Sequence, residues 1–181
     1  MAIKTFTTGE VLTASDTNTY LANSGLVFVK QQTIGNAVGS IVVTDAFSDT
    51  YDNYKIVVAG GAASAFAPLT IQLGATAGNY NYSLVYATYA TNAVAGACAA
   101  GSTSIVYVGQ SVTSQTMVSL EINGPKLAAR TGFSAPYFDA TNAGHMSGYL
   151  NNTTQYTGFT ISTTGGTLTG GTLTVYGYRK A

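Results

Sequence analysis

The sequence predicts an all-β fold: an antiparallel β-sandwich, jelly-roll-like, preceded by a short helix-containing arm. Three observations carry this. From Leu26 onward the chain reads with a period of two: Val27, Val29 and Gln31 alternate with Phe28, Lys30 and Gln32, and Leu173 and Val175 alternate with Thr172, Thr174 and Tyr176. Turn-forming pairs separate the alternating runs: Gly35-Asn36, Gly60-Gly61, Gly78-Asn79, Asn123-Gly124-Pro125, Asn151-Asn152 and Gly165-Gly166. No helical run lies between them, so the crossovers that a parallel sheet requires are missing.

Taken in order, residues 1–25 form the arm and residues 26–181 the sandwich. In the arm, Thr13 stands at an N-cap position with Asp16 three residues on, a pair of the capping-box type. The helix predicted over Ala14–Ser24 ends at Gly25, the position that favours a left-handed residue. A helix of about three turns is marginal alone in water, so it must dock. Docking on its own domain and docking on a neighbouring subunit both satisfy that need. Leu12, Thr13, Asp16, Tyr20 and Leu21 are the residues expected to anchor it.

The sandwich strands are expected at Leu26–Gln32, Ser40–Thr44, Tyr54–Ala59, Leu69–Leu73, Tyr80–Tyr89, Ser104–Val108, Met117–Ile122, Phe133–Phe138, His145–Leu150, Thr157–Thr163 and Thr172–Tyr178. In the last of these, Leu173, Val175 and Gly177 share one face, and Thr174, Tyr176 and Tyr178 the other. The repeated Gly-Gly-Thr-Leu-Thr at Gly165–Thr169 and Gly170–Thr174 reads as a wide hairpin or a bulged final strand pair. Gly96–Ala100, rich in alanine, reads as a loop holding the lone Cys98.

Composition narrows function. Charged residues make up 8% of the 181, with seven acids balancing seven bases, against an ordinary share of about 25%. A neutral chain offers no footprint for nucleic acid and no basic stripe for an anionic membrane. It also lacks the repulsion that keeps monomers apart, so self-association is expected. The apolar stretch Ala93–Ala100 is far shorter than a membrane span. Met1–Ala14 is polar, so no Sec-type leader is expected. One cysteine forms no disulfide framework or metal cluster, which fits synthesis in a reducing cytoplasm.

Chemistry-bearing patterns are few. His145 could be grouped with Asp139 and a serine, but no nucleophile elbow supports a catalytic triad. The seven carboxylates form no pair beside an aromatic sugar platform, and Trp is absent. Asp45, Asp49 and Asp52 are the local concentration of negative charge and the weak calcium candidate, although the spacing is not that of an EF-hand and such residues are ordinary turn formers. No cofactor is expected, because the glycine pairs lack a following lysine and a helix start. Tyrosine is the remaining feature. Tyr80, Tyr82 and Tyr86 fall on one face of a strand with Tyr89 opposite. They read either as core or subunit-seam residues, or as a contact surface for glycan or protein.

The opening Phe6–Asn18, containing Gly9-Glu10-Val11-Leu12-Thr13-Ala14-Ser15-Asp16-Thr17-Asn18, resembles a start that recurs in bacteriophage tail-fibre and other virion appendage proteins. Tyr51–Val58 and Gly170–Arg179 resemble segments of such modules too. The resemblance implies a non-enzymatic, all-β virion protein, often trimeric, made in the bacterial host cytoplasm. Its partners would be other copies of itself and other tail or capsid proteins. It supplies no catalytic residues. A capsid decoration or cement protein and a module binding host-surface glycan are the alternatives in view.

Overall fold

The computed structural model describes residues 7–16 and 25–180. It contains α1 (Ala14–Asp16), β1 (Leu26–Thr33), β2 (Ser40–Val43), β3 (Tyr51–Ala59), β4 (Ala62–Ala63), β5 (Ala67–Leu73), β6 (Tyr80–Thr88) and β7 (Val94–Ser102). The chain continues through β8 (Ile105–Val112), β9 (Gln115–Asn123), β10 (Thr131–Phe138), β11 (Asn142–Leu150), β12 (Phe159–Thr163), β13 (Leu168–Thr169) and β14 (Thr172–Arg179). Every pairing between strands is antiparallel.

The strands pack as two layers. The larger has the order β1-β14-β3-β9-β10-β11-β6-β7 and the smaller β2-β12-β5-β8. They stay hydrogen-bonded at one corner because β9 is shared. Its first half pairs with β8 (Gly109↔Val118 to Val112↔Gln115), and its last residues pair with β10 along the same edge. The chain alternates between layers, β2 to β3 to β5 to β6-β7 to β8 to β9-β10-β11 to β12 to β14. That winding is jelly-roll-like.

Alternation dictates the core. β5 is buried at every second residue (Ala67, Leu69, Ile71, Leu73), and β14 buries Leu173, Val175 and Gly177 as its sequence pattern requires. Each aliphatic side chain so enclosed contributes about 1.5–3 kcal/mol. Phe47 stacks on Phe159 and meets Tyr54 edge-on, with centroids 5.5 and 4.8 Å apart, filling one end of the sandwich.

Two sequence expectations change. Val94–Ser102 is a strand rather than a loop: its alanines, weak strand formers alone, are held by pairing with β6. The Gly-Gly-Thr-Leu-Thr repeat is not a hairpin, because β13 pairs with β4 and β14 with β3. Gly170-Gly171 and Gly60-Gly61 are adjacent corners that touch backbone to backbone. All four have positive φ, and a Cβ on Gly61 would lie 2.2 Å from the Gly170 oxygen. The predicted helix Ala14–Ser24 is described only over Ala14–Asp16; the rest, with Tyr20 and Leu21, lies outside the described residues.

Candidate contact surface

The inner face of β6 presents Tyr80, Tyr82, Leu84 and Tyr86, but these do not form one surface. Tyr80 is fully buried, and its hydroxyl accepts a 2.7 Å hydrogen bond from the Leu73 N–H of the opposite layer. Burial outweighs that bond and pushes its phenol up to about 12. Tyr80 is therefore a core residue, which corrects its placement in a contact surface. Tyr82 and Tyr86 are half-buried nearer the end of the sheet.

Two tyrosines from other strands complete a cluster there. Tyr107 sits in β8, where the register against β5 shifts between Leu69 and Thr70. Its φ of 68° is a left-handed conformation that a bulky residue rarely adopts. The ring meets Tyr82 at 6.2 Å and Tyr137 of β10 at 5.4 Å, both edge-on. Tyr137 is buried and donates to the Asp139 carboxylate at 3.1 Å. Burial first, then the charge of Asp139, raises the Tyr137 hydroxyl far above the ordinary phenol range. Burial works to raise the Asp139 carboxyl as well. Bonds from the Thr141 and Asn142 N–H groups, at 2.7 and 2.8 Å, outweigh it and hold the group below its ordinary value. Sequence reading missed Tyr107 and Tyr137, since a bulge and a cross-strand neighbour leave no local signal.

The remaining predicted residues separate. His145 lies on the outer face, its Nε2 2.8 Å from the Ser134 hydroxyl, while Asp139 is committed to its own turn and to Tyr137. Asp52 pairs with Lys180 at 2.8 Å, and the same ammonium donates to the Asp49 carbonyl; Asp45 is exposed at a φ of 52°. Among the described residues no three His, Cys, Asp or Glu side chains come together, and in the acidic turn Asp52 is tied to Lys180 instead. Thr13 and Asp16 do make the predicted reciprocal cap, with Asp16 N–H to the Thr13 hydroxyl at 3.1 Å and Thr13 N–H to the Asp16 carboxylate at 3.1 Å. Leu12 is exposed beside them. Among the described residues no helix is long and apolar enough to cross a membrane.

The strand edges form the other notable surface. Three strands have one edge unpaired along their length, and each carries exposed large apolar side chains: Leu26 and Phe28 on β1, Val42 on β2 and Val94 on β7; Phe66, Val85 and Tyr89 are exposed elsewhere. On the outer face of β6 and β11, Asn81, Ser83, Ser147 and Tyr149 line an open depression of about 440 Å³. The Arg130 guanidinium lies 5.3 Å from the centre of the Tyr149 ring. No protein-family model, no curated protein and no solved structure matches the chain.

Proposed function

We propose that the protein is a non-enzymatic structural component of a bacteriophage virion, a tail-fibre-like appendage that works as a homotrimer. The observation that carries the reading is the exposure of Leu26, Phe28, Val42 and Val94 at the ends of both layers of a neutral sandwich. Exposed apolar side chains on the free-edge strands suit a part covered by neighbours in an assembly. The resemblance of Phe6–Asn18 to the start of virion appendage proteins adds the address, and the Thr13–Asp16 cap is consistent with a helix beginning there.

Labelling of intact particles with an antibody against the sandwich tests this. Density on tail fibres supports the reading, density on the shell moves it to a capsid decoration protein, and particles without the protein overturn it. A glycan-contact role is favoured by the depression around Tyr149, where hydroxyls border an aromatic ring. Glycan-array binding that disappears on Tyr149→Ala supports that second reading, and a blank array removes it.

A further inference from the structure

The three terminal strands are not equivalent, and the difference lies in their backbone groups. On β2 the pairing with β12 leaves the carbonyls of Val42 and Thr44 facing the open edge, since Thr163 N–H bonds the Gly39 carbonyl and fixes the alternation. Both carbonyls are occupied. Gln32 Nε2 donates to Val42 at 3.1 Å, and Lys30 Nζ donates to Thr44. A register shift between Phe28 and Lys30 on β1 precedes these two residues. So β1 and β2 face each other, with side chains from one covering the edge of the other.

Among the described residues no side chain covers the β7 edge in this way. Thr88 N–H bonds the Ala93 carbonyl, so Ala95, Ala97 and Ala99 turn their backbone groups toward β6. Val94, Gly96 and Cys98 turn theirs outward. The strand Val94–Ser102 is nine residues long and contains no charged residue and no proline, the devices that ordinarily blunt an edge. Its bulge, opposite Tyr80–Tyr82, begins only beyond Ala99. Val94 is 74% exposed and Val85, opposite Gly96 on the same outer face, is 57% exposed.

We propose that β7 pairs antiparallel with β7 of a second copy of this chain, about a two-fold axis at Gly96. A second copy fits because the regular outward row is self-complementary. With Gly96 opposite Gly96, each Val94 lies opposite Cys98 of the other copy, and every outward N–H in the row meets a carbonyl. Glycine at the axis leaves the exposed Val85 side chains room beside the seam. The pairing is a second mode of self-association, through a surface of its own, beside the trimer proposed above. It does not depend on the virion address, and its two-fold symmetry is separate from any three-fold interface.

The test uses the full chain. Val94→Cys places a thiol opposite Cys98 of the other copy, at the roughly 5.5 Å Cα spacing of a hydrogen-bonded pair, which a disulfide can span. Mild oxidation is expected to convert most of this variant to a covalent dimer, whereas Ala95→Cys, on the inner face, gives little. The Val94→Lys, Cys98→Lys double variant sets lysines opposite one another across the seam. Both positions are exposed, so the variant should keep its fold while sedimentation shows the edge-paired species gone. No covalent dimer from Val94→Cys overturns the proposal, as does a double variant that associates like the parent. A trimer lacking the cross-link overturns this pairing alone and leaves the structural reading standing.

Discussion

Tyr54 and Tyr80 are both fully enclosed, and each hydroxyl is tied to backbone. Tyr54 donates to the Ser48 carbonyl at 2.9 Å and accepts from the Ser48 N–H at 2.8 Å, while Tyr80 accepts from Leu73 N–H. Tyr80→Phe orphans a buried donor and should cost about 1–3 kcal/mol in urea unfolding. Thr131 is the converse: it is fully buried and its hydroxyl has no partner in the structure. Thr131→Val removes a desolvated polar group at nearly constant shape, and stability should hold or rise by about 1 kcal/mol. Tyr107 tests backbone strain. Both Tyr107→Asn and Tyr107→Val remove the ring from its cluster, but only asparagine tolerates a left-handed φ. The valine variant should therefore be less stable by a further ~1–2 kcal/mol; equal destabilisation would remove strain from the account.

At the level of elements, edge protection separates β2 from β7. Lys30→Ala with Gln32→Ala uncovers the Val42 and Thr44 carbonyls, and the apolar Val42 side chain already stands on that strand. The double variant should unfold near the parent's midpoint yet scatter more light at the same concentration. Unchanged scattering would show that the side chains do not guard the edge. β7 illustrates the opposite balance. Its alanines have little strand preference of their own, and β6 imposes the conformation on them.

Across the whole molecule, neutrality leaves stability to titrate at a few hydrogen-bonded groups. Asp139 has a folded pKa below its ordinary 3.8, so its contribution is present above about pH 4 and is lost as pH falls through the folded value. Tyr80 and Tyr178 behave in the reverse sense. Their phenols are raised from 10.0 to about 12, Tyr80 by burial and Tyr178 by burial and then by its 2.6 Å bond to Glu121. Their contribution is complete below pH 10 and disappears as pH rises from 10 toward 12. Urea midpoints should thus be flat between about pH 5 and 9 and fall on either side. Tyr178→Phe should shallow the alkaline limb, and Asp139→Asn the acid one; limbs unchanged in both variants would refute the assignment.

Alternation, turn chemistry and capping act over a few residues, so the strand-rich class, most strand positions and the cap at Thr13–Asp16 are legible locally. The remainder depends on contacts between residues far apart in the chain. Tyr80 joined the core because its register opposite Leu150 carries it beneath the smaller layer, where Leu73 meets its hydroxyl. Tyr107 and Tyr137 came together through a bulge and a strand pairing that no local pattern encodes. The paired Gly-Gly corners met because two distant turns share one edge of the sandwich. The lone Cys98 and its alanine neighbours became an outward-facing edge, since pairing with β6 fixes which backbone groups are spent and which are left open.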